Sequence, residues 1–179
     1  MKNHLEQSQE TENTTRELSV DGIKLKEEHN HFRENGIMLC SYNRDLFKYN
    51  KERMEKLGNP IAKFWSENSS ALVAALPSTA CKGLPGKIWL CKGSKVRLTT
   101  NLWQEVGLIN KAQGTVRYII YEENHKPPEM PSFVIVEFPN YIGPDWRGMK
   151  KCVPIPSKHY DWMIGESNVY RSMIPLIPT

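Results

Sequence analysis

Three short segments alternate between an apolar and a polar face, and that period of two leaves few folds open. In "SKVRLTTNL" (94–102), Val96, Leu98, Thr100 and Leu102 share one face, and Arg97, Thr99 and Asn101 share the other. In "TVRYIIY" (115–121), Val116, Tyr118 and Ile120 alternate with Arg117, Ile119 and Tyr121. In "SFVIVEF" (132–138), Val134, Val136 and Phe138 oppose Phe133, Ile135 and Glu137. Such alternation belongs to strands with one buried face, and turn signals between them predict a small antiparallel β-barrel over residues 87–170. Gly107, Asn110 and Gly114, in "GLINKAQGTVRYIIY", mark the reversal between two of its strands, the glycines supplying backbone freedom.

Upstream the periodicity changes. "GIMLCSY" reads as a buried strand, and "NRDLFKYNKERMEKLG" as a helix with Asn43 as N-cap, Gly58 as C-terminal stop and Pro60 beyond it. Phe47, Met54 and Leu57 mark its inward stripe, and Asn50 falls on the same stripe. A buried amide needs a partner, so Asn50 is either a structural tie or part of a site. "NPIAKFWS" suggests a second strand, giving a strand–helix–strand region over 18–66. Residues 67–86, with Ser, Ala, Pro and Gly, read as a linker, 1–17 as a disordered polar tail, and 171–179 as a departing segment. The expected class is therefore α+β. A further short helix in 20–35 carries His29 and His31, but no third ligand stands at metal-binding spacing, which favours a solvated helix end.

The chemistry excluded is as informative. There is no phosphate-binding G-x-x-x-x-G-K-[ST] loop, no G-x-S-x-G elbow and no recognisable Cys or His nucleophile motif; no metal site or catalytic residue is expected. No apolar run approaches the roughly 18 residues of a membrane span, and the N-terminus lacks the apolar core of a signal peptide. Cys40, Cys81, Cys91 and Cys152 are scattered, as expected of reduced thiols in an intracellular protein. The net charge of +4 permits an acidic partner without requiring one. Aromatic residues (Trp89, Trp103, Tyr118, Tyr121, Tyr141, Trp146) interleave with Lys92, Lys95, Arg97 and Arg117. That pattern suits single-stranded nucleic acid, and equally the filling of a small barrel.

The order of these pieces carries a resemblance. "IWLCKGSKVRLTTNLWQEVGLINKAQGTVRYIIY" resembles the G-A-x-V-M-L-x-x-N-L-W-x-x-x-G-L-V-N-G-x-x-G-T-V signature of the Pif family, superfamily-one 5′-to-3′ DNA helicases related to RecD. "PPEMPSFVIVEFPNYIGP" and "VPIP" are similar to the stretch that follows, and "LCSYNRDLFKYNKERMEKLGNPIA" to the family's fourth helicase motif. The resemblance implies a fragment: part of the second RecA-like domain, with a small Src-homology-type barrel inserted in it. "SNVYRSMIPLIPT" resembles the exit from that barrel. Family members unwind DNA with ATP and magnesium, in repair, recombination and telomere maintenance. This chain would carry part of the single-stranded-DNA surface and no ATP site of its own, with the missing helicase domains as its packing partner. The nucleus is the expected compartment ahead of the mitochondrion. Lys111 stands where the family has Gly, Arg97 where it has Met, Met173 where it has Gln, and Ser41-Tyr42 where it has Pro-Thr. Asn43 and Asn50 match the fourth motif; with Lys92, Lys95, Arg97, Lys111 and Arg117 they form the expected DNA-binding set. The alternatives are an autonomous nucleic-acid-binding barrel module and an inactive helicase remnant.

Overall fold

The computed structural model describes residues 43–179. The expected tail over 1–17, the helix over 20–35, the strand "GIMLCSY", and Cys40 and Tyr42 lie outside the described residues. Helix α1 (Asn43–Lys56) is followed by β1 (Ala62–Trp65), β2 (Glu67–Asn68), helix α2 (Ala71–Ala75), a 3-10 turn at Ser78–Cys81, β3 (Lys87–Leu90) and β4 (Lys95–Leu98). Then come a 3-10 turn at Gln104–Val106, β5 (Gln113–Ile120), β6 (Phe133–Glu137), β7 (Cys152–Pro156), β8 (Lys158–Ile164), β9 (Ser167–Met173) and β10 (Leu176–Pro178). Phe47–Thr179 form one compact unit.

The fold is mixed α/β with antiparallel sheets: five strands in the order β10-β4-β5-β6-β7, three in the order β2-β9-β8, and the pair β1-β3. The five-stranded sheet does not close into a barrel, because β10 and β7 do not pair with each other. Proline explains much of this: Pro178 in β10 and Pro154 and Pro156 in β7 have no amide N–H to offer a further ladder. The expected inward faces of β4 and β6 are buried, and in β6 the opposite face is covered as well, since Ile135 is also buried. Val96, Leu98, Val134, Val136 and Phe138 enter one core cluster with Phe64, Leu90 and Leu176.

In β5 the alternation changes phase. A bulge between Val116 and Tyr118 shifts the register, so Val116 packs inward while Tyr118, expected on the same face, is 46% exposed and Ile119 packs against the core instead. Gly107 has φ +88 and ends a 3-10 turn. Gly114 lies inside β5 without a positive φ; the left-handed residue of that reversal is Lys111, at φ +71. Gly114 is required for closeness, since a Cβ there would meet Val136 Cγ1 at 2.5 Å.

Residues 67–86 are not a loose linker. Ser70 Oγ accepts from the Val73 amide at 3.3 Å and caps α2, and Val73, Cys81 and Leu84 are buried. The tail expected to depart at 171–179 is built into the sheets: β9 pairs with β2 and β8, and β10 with β4, while Met173, Ile174 and Leu176 are core residues. Nor does β1 stand with a separate helical region, for it pairs with β3 along its whole length. Helix α1 stops where expected, Gly58 taking φ +66. Its inward residues are Asn50 and Met54, whereas Phe47 and Leu57 stay exposed.

Candidate nucleic-acid interface

The sequence-derived basic set includes two local pairs, Lys95 with Arg97 on one face of β4 and Lys92 with Arg117 at one cleft. Lys95 and Arg97 project from β4 opposite the buried Val96 and Leu98. Lys95 Nζ donates to Thr115 Oγ1 at 3.1 Å. Arg117 is neutralised by Glu137, with Nε donating to Oε2 at 2.6 Å and Nη2 to the same oxygen. Lys111 is exposed in the β4–β5 turn, its amide donating to the Leu98 carbonyl at 2.9 Å. Asn110 beside it is held by its backbone, its N–H donating to Asn101 Oδ1 at 2.7 Å. Lys92 lies past β3 with its Nζ 5.4 Å from the Tyr118 ring centroid. The bulge that turned Tyr118 outward makes that contact available.

Asn43 is the first residue of α1. Asn50 is 6% exposed, and its Oδ1 has no hydrogen-bond partner among the described residues. That oxygen is therefore buried and is not presented to a strand passing over the surface.

A second cluster was not named from sequence. In β1 and β3, Phe64 and Ile88 are buried, which puts Lys63 and Trp65, and Lys87 and Trp89, on the opposite face. The antiparallel register sets Lys63 opposite Trp89 and Trp65 opposite Lys87. Lys63 Nζ lies 4.4 Å from the Trp65 ring and 5.3 Å from the Trp89 ring, and Lys87 Nζ lies 5.5 Å from Trp65. Helix α1 adds Lys51, 5.9 Å from Trp89, and Phe47, edge-on to Trp89 at 5.3 Å. The signal was present in the sequence as two Lys-x-Trp triplets, "KFW" and "KIW"; only the pairing of β1 with β3 joins them.

Two clefts flank these elements. One of ≈ 520 Å³ is lined by Trp65, Glu67, Glu122, His125 and Glu129, and is acidic. The other, of ≈ 330 Å³, lies among Ile61, Tyr118, Tyr121 and Pro127, with Lys92 and Arg117 at its edge. Burial raises the Tyr121 phenol above its ordinary range. Among the described residues no three His, Cys, Asp or Glu side chains converge to hold a metal ion. His159 bridges Ser172 Oγ, 2.7 Å from Nδ1, and Asp161 Oδ1, 3.1 Å from Nε2. Ser172 is buried mid-strand opposite His159, without the sharp turn that exposes a catalytic hydroxyl.

No protein-family profile and no curated protein matches the sequence. Solved structures do match. Pif1 helicase from Candida albicans superposes with a TM-score of 0.54 at 16% identity, over 80% of this chain and 35% of that one. Unliganded Pif1 from Bacteroides sp gives 0.52 at 13% identity, over 78% of this chain and 38% of that one. Bacteroides Pif1 bound to single-stranded DNA gives 0.50 at 13% identity, over 78% and 29%. The chain thus has the fold of part of a Pif1 helicase and spans about a third of the length of those it matches.

Proposed function

We propose that this chain is a piece of a Pif-type, ATP-dependent DNA helicase that contributes single-strand-binding surface to the motor and no nucleotide site. The observation that carries this reading is the fold: four-fifths of the chain superposes on Pif1 helicase from Candida albicans. On this reading the five-stranded sheet corresponds to the small Src-homology-type barrel of the resemblance, and α1 with β1 to the edge of the second RecA-like domain. The packing partner is the rest of the motor, which holds ATP and magnesium. This assignment is supported by the sequence, which carries no phosphate-cradling G-x-x-x-x-G-K-[ST] loop of the kind phosphoryl transfer uses. The setting is intracellular, nuclear or mitochondrial.

The expected outcome is twofold. Pure chain with ATP, magnesium and single-stranded DNA releases no phosphate above a no-protein control. The same chain binds oligothymidylate weakly, and more weakly as salt rises, since lysines on phosphates release counterions. Turnover stimulated by DNA, or no binding even at low salt, overturns the reading.

The compactness of Phe47–Thr179 around its own core favours one second reading, an autonomous nucleic-acid-binding module. Strand affinity as tight without the other helicase domains as with them would select it.

A further inference from the structure

We infer that the outer face of the β1–β3 ladder is a stacking platform for single-stranded nucleic acid, with Trp65 and Trp89 taking bases and Lys63 and Lys87 taking phosphates. The inference rests on the strand-binding reading above and deepens it by naming the surface.

The triplets Lys63-Phe64-Trp65 and Lys87-Ile88-Trp89 each bury their middle residue, and the antiparallel register makes a two-by-two checkerboard of cation and ring. The repeat between alternate residues of a strand, about 6.7 Å, brings both rings and both cations within reach of neighbouring nucleotides. Trp65 is 48% exposed, a large apolar ring held at the surface. Among the described residues, Lys63 and Lys87 make no ion pair, so their charge is not consumed within the fold. Lys51, by contrast, is held by Glu55 at 3.2 Å, and serves to fix Trp89 rather than to bind.

The exposed Trp65 ring and the half-buried Trp89 ring, beside cations that make no ion pair, match a ligand with flat faces and regularly spaced anions, which is a single strand. Duplex nucleic acid offers the phosphates but keeps its base faces covered. The surroundings also give a direction. The cleft beyond Trp65 carries Glu67, Glu122 and Glu129 and repels a polyanion. The far end of the ladder leads past Leu90 to Lys92 over the outward-turned Tyr118. A bound strand therefore runs from Trp65 across Trp89 toward Tyr118, away from the acidic cleft.

The test uses the full chain and a labelled oligothymidylate of about 12 nucleotides, followed by anisotropy and by tryptophan fluorescence. Trp65→Ala is expected to weaken binding about five- to 150-fold, and Trp65→Phe to restore most of it. Lys63→Gln with Lys87→Gln should reduce the slope of log K against log salt by about 1.4, two contacts at about 0.7 each. All these side chains are at least partly exposed, so thermal melting should not move. If Lys95→Gln with Arg97→Gln lowers the slope while the Lys63/Lys87 pair does not, the platform is refuted and the strand-binding reading survives. If the unaltered chain binds no oligothymidylate at any salt, that reading falls, and the platform with it. Competition by polyglutamate as effective as by unlabelled oligothymidylate would make the face an acidic-peptide site and overturn the inference.

Discussion

A methyl group on Gly114 would sit 2.5 Å from Val136 Cγ1 and 2.8 Å from the Glu137 carbonyl oxygen, too close for either to stay in place. Gly114→Ala should therefore cost about 1–3 kcal/mol and Gly114→Val more, read from denaturant midpoints, since β5 and β6 must separate to admit the side chain. Lys111 behaves oppositely. At φ +71 it occupies a region where a Cβ is strained, so Lys111→Gly relieves the backbone while loosening the unfolded chain, and stability should stay within about 1 kcal/mol. A tight turn was legible from the paired glycines, but which residue carries the positive φ was not; the ladder register decides that. The thiols make a separate prediction. Burial pushes Cys81, Cys91 and Cys152 above the ordinary thiol range, opposed at Cys81 by Arg171 and at Cys91 by hydrogen bonds from Ser94; at Cys152, Glu137 adds to the rise. A pKa raised by folding gives stability that is fully present below the unfolded value of about 8.5 and lost as pH rises through the folded one. Urea midpoints under reducing conditions should accordingly fall as pH rises above about 8.5, and native-state alkylation of these three should be slow. Rapid alkylation of all three without unfolding would refute their burial.

At the scale of elements, Arg171 is the piece that organises 67–86. It is fully buried in β9, its Nε donates to Asn68 Oδ1 at 2.8 Å, and its Nη1 donates to the Leu84 carbonyl at 3.1 Å. Nη2 donates to the carbonyls of Val73 at 2.6 Å and Leu76 at 3.2 Å, at the C-terminal end of α2. A five-residue helix cannot hold itself together, and its last carbonyls need donors. Arg171→Met should cost at least about 3 kcal/mol, because several buried acceptors lose their partner at once. Amide exchange in 69–84 should accelerate more than in β6; equal acceleration throughout would show that the guanidinium does not organise this segment. The clue was in the alternation, which puts Arg171 on the face of Val169 and Met173, both buried. What hid it was composition: Ser, Ala, Pro and Gly read as a linker when no local pattern shows the arginine arriving from β9. The bulge in β5 was hidden for a related reason, since one unpaired residue alters every face after it without altering the apolar count.

At the scale of the molecule, antiparallel sheets and the inward faces of β4 and β6 were legible because each is a local, period-two property. Closure was not, because it depends on whether the first and last strands of a sheet meet, and the prolines of β7 and β10 leave those edges apart. The Lys–Trp face was half legible: each triplet is local, but the pairing of Lys63 with Trp89 joins residues 26 positions apart. Among the described residues the longest links run to β9. Asn68 and Arg171 are 103 residues apart, and β10 is the strand that covers β4. This arrangement has a consequence in time. At a synthesis rate of about 5–20 residues per second, roughly 5–20 s pass between the appearance of Asn68 and of the arginine that holds it. For that interval the nascent chain exposes Val73 and Leu84 unclamped and β4 with one edge open, which is the period in which a chaperone has something to hold.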